Sequence, residues 1–179
     1  MKKYLMPNSP IHESVKFGEN VRLGYYVVIE EGCEIGDNCF IGNFVMMRPY
    51  TKIGNNCVIG HGCVFEGWSE IGEGTHIMPQ CHITKGAKIG RLVFIGAGVI
   101  GVNDRKMVFR RKEFKPEPFE IRDYARIGSG AIILSGVVIG ENALVGAGAI
   151  VTKNVPAGKI AIGIPARIIG DVLKEEWIS

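Results

Sequence analysis

The chain has 179 residues, among them four histidines, His12, His61, His76 and His82, and five cysteines, Cys33, Cys39, Cys57, Cys63 and Cys81. An imidazole titrates near neutral pH and can take or give a proton, so each histidine is a candidate base. The thiols could in principle ligate a metal or cross-link. Spacing sorts these residues. Cys39 and Cys57 stand 18 apart, as do Cys63 and Cys81, and His82 stands 18 before Ile100. Ile100 borders VNDRKMVFRRKEFKPEPFE, residues 102–120, a stretch unlike the rest of the chain. It opens with Asn103-Asp104 and holds Arg105, Lys106, Arg110, Arg111, Lys112 and Lys115. That cluster suits a phosphorylated substrate, although a solvated charge run has the same composition. Tyr50 and Trp68, again 18 apart, could form a platform for a nucleotide base or sugar, or pack between subunits.

The recurrence of 18 reflects a shorter period. Every sixth residue from Ile11 to Ile95 is large and apolar, and the phase restarts at Ile121 and runs to Val151. Two positions before an anchor there is commonly a small residue, and all five cysteines fall there, which makes them small apolar fillers. Glycine commonly follows the anchor (Gly18, Gly36, Gly54, Gly72, Gly90). A strand alternates its side chains with period two, so a period of six with one large and one small inward position requires a corner every six residues. Glycine is expected there to supply the positive φ of the corner. Three strands make an 18-residue coil, and each coil buries its anchors only against its neighbours, as in a solenoid.

The reading is therefore one all-β domain over 1–179: a parallel β-helix of about seven 18-residue coils, at 11–101 and 121–156. A loop, 102–120, is extruded from a corner of the sixth coil. The tail, 157–179, ends in a short helix from Asp171 to Ile178. Insertions as long as the loop are usually functional. In register, Asp104 falls two coils above Trp68.

Composition narrows the class. A net charge of +3 and 22% charged residues are too weak a bias for nucleic acid. The first ten residues are too short and polar for a secretion signal, and no run of 18 apolar residues exists. The expectation is a cytoplasmic protein without membrane or nucleic-acid partners.

The segment ARIGSGAIILSGVVIGENALVGAGAIVTKNVPAGKIAIGIPARIIG carries V-T-K-x-V-P and then G-x-P-A-R. It closely resembles the C-terminal signature of the hexapeptide-repeat acyltransferases. That resemblance implies a left-handed coil, a homotrimer, and acetyl-CoA as co-substrate with its pantetheine arm along the coils between subunits. By motif, Ser129, Gly146, Ala147 and Ala149 fall in the turns that hold the arm, while Lys153 and Arg167 suit the CoA phosphates. Ala147 and Ala149 also keep the coils tight. VFIGAGVIGVND before the loop looks like the nucleotide-linked amino-sugar N-acetyltransferases, in which an asparagine before a long loop engages the substrate amine. Asn103 takes that role by position. Those relatives commonly place an acidic residue one coil below, where this chain has Lys85-Gly86.

The implied reaction is direct attack of the amine of a nucleotide-linked amino sugar on the thioester. Backbone N–H groups stabilise the oxyanion, and Asp104, His82 or the leaving thiolate takes the proton. The alternatives are O-acetyl transfer to a sugar or other small hydroxyl, and a metal-dependent or non-enzymatic scaffold. The O-acetylating branch carries a base histidine that this loop lacks. The zinc-dependent carbonic anhydrases of this repeat class need histidines five and 36 residues apart, a spacing absent here, so no metal is expected.

Overall fold

The structure, a computed structural model, describes residues 10–107, 110, 113 and 115–177. Two-residue strands recur every six residues, and strands one coil apart pair in parallel to build three faces. The first face runs in seven strands from Lys16–Phe17 to Val138–Ile139. The third runs in seven from Val28–Ile29 to Ile150–Val151. The second starts at Arg22–Leu23 and continues past Leu144–Val145 into a hairpin, Lys159–Gly163 and Ala166–Asp171. The first, second and third corners join the first to the second face, the second to the third, and the third to the first.

The expected coils are present, with a partial eighth added by Val155 bridging Ile139 and by the hairpin. The tail differs from expectation. Asp171 ends a strand, and the helix is a single 3-10 turn, Lys174–Glu176; Ile178 lies outside the described residues. Ile160 and Ala161 extend the second face by pairing with Leu144 and Val145, so the chain completes another rung before it can turn.

The interior is as the period demands. Anchors such as Ile29, Ile59, Ile83 and Ile133 are fully buried, and so are Cys39, Cys57 and Cys63. All five cysteines are free. The hydrogen bond each makes with the thiol one coil away, and then burial, push Cys57 and Cys63 above the usual thiol range. The same hydrogen bonds hold the partner thiols low, Cys39 to about 7 and Cys81 below the usual range, so it is burial among the apolar anchors that marks the five as fillers.

Two features depart from the sequence reading. The glycines just after the anchors do not take positive φ; the left-handed position comes two residues later, at Asn20, Tyr26, Asn38, Phe44, Tyr50 and Trp68 among others. The reason for glycine after the anchor is contact. A Cβ on Gly18 would lie 2.6 Å from the Asp37 amide nitrogen, and one on Gly54 would lie 2.7 Å from that of Glu73. The second departure is at Gly101, which holds an anchor position without a side chain. The Phe119 ring occupies the space where its Cβ would stand. Phe119 is 1% exposed, so the returning limb of the loop supplies the missing core volume.

The faces differ outside. The first presents Lys16, Glu34, Lys52, Glu70, Lys88 and Glu120 up successive coils. Opposite charges on neighbouring rungs favour the pairing. The third presents Val28, Met46, Val64, His82, Ile100, Ile132 and Ile150, an apolar stripe interrupted only by the histidine. Among the described residues no helix is long and apolar enough to cross a membrane.

Candidate active site

The second corner changes character along its length. In the lower coils the outward amides of Tyr25 and Asn43 are closed by side chains from the coil above. Asn43 Oδ1 accepts from the Tyr25 N–H at 2.9 Å, and His61 Nδ1 accepts from the Asn43 N–H at 2.8 Å. Pro79 is next in the column, and with no side-chain acceptor it ends the series. Above it stand Ala97, Ser129 and Ala147, whose N–H groups have no partner among the described residues. Beside them Gly98, Gly130 and Gly148 have φ of 69°, 69° and 66°, with nothing within 4 Å of where a Cβ would be. The upper corner is thus a column of bare, outward amides along open space, suited to donate to the amide carbonyls of an extended ligand.

Of the turn residues expected here, Ser129 and Ala147 face outward and Gly146 is partly covered. Ala149 does not join them. It is fully buried, its N–H donates to the Gly146 carbonyl at 3.3 Å, and its own carbonyl accepts from Ile132 at 2.8 Å. Its part is packing, because the inward period of the strand points it into the coil. Arg167, exposed, pairs with Ile162, whose side chain covers Gly146, so the residue stands at the top of the second corner. Lys153 is also exposed but follows the third-face strand, at the third corner. The two cations lie on opposite edges of the third face.

The loop leaves and returns at the third corner. The Asn103 carbonyl accepts from the Glu117 N–H at 2.9 Å, and the Glu117 carbonyl accepts from Gly136 N–H and Ser135 Oγ, both at 2.9 Å. Arg105 folds back on this root, donating to the Ser135 carbonyl at 3.1 Å and pairing with Glu117 at 3.2 Å. It is a strut of the root. Arg111 and Lys112 lie outside the described residues, while Lys106 and Lys115 are exposed. The Asn103 side chain is half-buried and its amide has no hydrogen-bond partner among the described residues. Asp104 Oδ1 accepts from the N–H groups of Lys106 at 3.0 Å and Met107 at 3.1 Å, a local turn that sets the loop's direction.

His82 pairs with Ile100, one coil below the root, as its spacing implies. Sequence reasoning missed its partner. Glu66 Oε1 lies 3.8 Å from His82 Nε2, and Arg48 stands 3.6 Å from the other Glu66 oxygen. The signal was available: Glu66 sits just after its strand, one coil down and two residues along from the residue paired with His82. The structure also shifts a register expectation. Pro118, not Asp104, covers Gly86, so the column above Trp68 continues through the returning limb. Asn103 and Asp104 are displaced outward, because the chain leaves the coil after Val102, whose N–H still reaches the Ile133 carbonyl at 2.9 Å.

A surface depression of about 1060 Å³ lies instead along the first face. Its lysines and glutamates alternate and offset one another, so no single charge converges there. Among the described residues no three His, Cys, Asp or Glu side chains gather as a metal site requires.

Comparison with known proteins bears on this geometry. The model of the bacterial transferase hexapeptide (six repeats) matches residues 14–49, 32–67, 50–77, 69–100 and 120–153. A Staphylococcus aureus 2,3,4,5-tetrahydropyridine-2,6-dicarboxylate N-acetyltransferase is 35% identical over 82 residues, 45% of this chain and 31% of that protein. The chain matches less than a third of the length of such curated relatives. A hexapeptide-repeat-containing acetyltransferase from Vibrio cholerae, complexed with acetyl coenzyme A, superposes with TM-score 0.59 at 28% identity, covering 66% of this chain and 69% of that one. The N-acyltransferase AntD from Bacillus cereus, in complex with dTDP and coenzyme A, shares the fold at TM-score 0.56 and 21% identity, over 89% of this chain and 85% of that one.

Proposed function

Because the chain belongs to the bacterial transferase hexapeptide family, we propose that it transfers an acetyl group from acetyl-CoA to the amine of a nucleotide-linked amino sugar. The observation that carries the reading is the switch at the second corner from capped amides to the bare column of Ala97, Ser129 and Ala147. A pantetheine arm has the amide groups to meet such a column. The acetyl-CoA complex of the Vibrio cholerae relative supports the choice of ligand. The nucleotide bound by AntD is in keeping with the acceptor class.

Two halves of the site lie on opposite edges of the third face, with the amides and Arg167 at one corner and Asn103, the loop and Lys153 at the other. Between them runs the apolar stripe. A homotrimer that covers this stripe would place the second corner of one copy beside the third corner of the next, completing each site from two chains. Five free cysteines agree with a cytoplasmic setting.

In this mechanism the Asn103 amide oxygen accepts a hydrogen bond from the substrate amine and holds its lone pair toward the thioester carbon. A bare corner N–H stabilises the oxyanion. His82, whose Nε2 lies 3.8 Å from Glu66 Oε1, is the better placed of the two side-chain bases, since Asp104 Oδ1 is committed to its turn. The test is release of free CoA thiol from acetyl-CoA with a panel of UDP- and dTDP-linked amino sugars and their hydroxyl counterparts. Turnover only with amino sugars supports the reading. Turnover only with hydroxyl sugars would replace it with O-acetyl transfer.

A further inference from the structure

Tyr50 and Trp68 do stack, with centroids 5.2 Å apart and planes at 39°, but they offer no open platform. Below, the Tyr50 ring covers Gly32. Above, the Lys85 ammonium sits 4.0 Å from the centroid of the Trp68 ring. Both faces of Trp68 are occupied, so a nucleotide base cannot stack there while Lys85 stays in place. The column ends in a fixed cation.

That cation has no acidic partner within ion-pair distance among the described residues. Other cations nearby are matched: Arg48 with Glu66, Arg105 with Glu117. Lys85 is also half-buried, and Pro118 of the returning limb lies against Gly86 just beyond it. An ammonium held on an indole face has lost part of its hydration and gains from an anion more than a free surface lysine does. The aromatic column thus fixes a lone positive charge on the same corner as Asn103, one rung below the loop root, or ~5 Å at strand spacing.

We propose that Lys85, seated on Trp68, is the anion-binding subsite of the acceptor. Resting on the reading of Asn103 as the amine-binding end, it selects an amino sugar that carries a negative charge about one sugar ring from the reacting nitrogen. A linking phosphate and a ring carboxylate share that chemistry. In O-acetyl transfer the same subsite would select an anionic hydroxyl sugar, so the inference does not depend on the acceptor atom.

Trp68 is its own reporter. With Trp177→Phe as background, Trp68 emission is followed while inorganic pyrophosphate is added, and in a second arm glucuronate. The wild-type column should give a saturable change with at least one anion, and the arm that responds identifies phosphate or carboxylate. Lys85→Met keeps the apolar stem on Trp68 without the charge and should weaken that response at least about tenfold. Lys52→Met, exposed on the first face away from the column, should leave it unchanged. No response to either anion, or equal affinity in Lys85→Met, overturns the proposal. Acetyl-CoA affinity measured separately on the same samples tells failure of this subsite from failure of the acyl-transfer reading, because Lys85 lies away from the second corner.

Discussion

The lower and upper halves of this solenoid share one repeat but close it differently. Below Pro79 the small inward positions are mostly thiols and hydroxyls that donate to carbonyls of the next coil: Cys39 to Gly54 at 3.0 Å, Cys57 to Gly72 at 3.2 Å, Thr75 to Gly90 at 2.8 Å. Outside, Asp37 and Asn55 close the first corner as Asn43 and His61 close the second. In the upper half Ala125, Ala131, Ala143 and Ala149 take the inward positions. Their methyl side chains donate nothing, and the second corner is left bare. The difference teaches that the repeat itself needs none of these extra bonds. Where they are omitted, the backbone groups become available to a ligand.

Variants can break or sharpen that contrast, beginning with the largest effect. Phe119→Ala removes the ring that fills the place of an anchor at Gly101, so it should cost about 3–5 kcal/mol in chemical denaturation. A loss below 1 kcal/mol would mean that the loop is not stapled into the core. Asn103→Ala should lower kcat/KM by about 10²-fold, about 2.7 kcal/mol of transition-state stabilisation, with melting temperature and CoA affinity nearly unchanged. A lower melting temperature with normal kinetics would make Asn103 a turn residue. Asn43→Ala removes a lower-half cap and should cost about 1 kcal/mol without touching acetyl-CoA affinity. Cys39→Ala and Cys63→Ala should each cost about 1 kcal/mol and leave activity near wild type. Loss of activity on thiol removal would give the cysteines a role that burial denies them.

Much of the fold was legible because one large and one small residue alternate inward with a period of six, and only a cornered strand satisfies that pattern. What escaped depends on contacts between coils. Glycine after the anchor was assigned to positive φ, yet the demand comes from the corner of the next coil, 18 residues away. Gly101 could be counted in phase, but nothing local says that Phe119, in a small-residue position, fills its place. The placement of the candidate residues was legible in part. Asn103 stands at the loop root and His82 one coil below it, as spacing implied, and Ser129 and Ala147 lie on the open corner. Ala149 falls in the matching turn by motif and also keeps the coils tight, and its parity leaves it only the second part. Lys153 and Arg167 were grouped by motif although a full face separates them. The meaning of Ala97 emerged only when each amide was traced to its partner.

The central claim is that the bare upper corner binds acetyl-CoA, and Ala147→Asn tests it most directly. An asparagine there can cap the Ser129 N–H as Asn43 caps that of Tyr25, converting one upper rung into a lower one. Isothermal titration with acetyl-CoA should show one site per chain in the wild type and at least about a hundredfold weaker binding in the variant, roughly two lost hydrogen bonds and a blocked channel. The melting temperature should be equal or higher. Equal acetyl-CoA affinity in a folded Ala147→Asn variant would contradict the account.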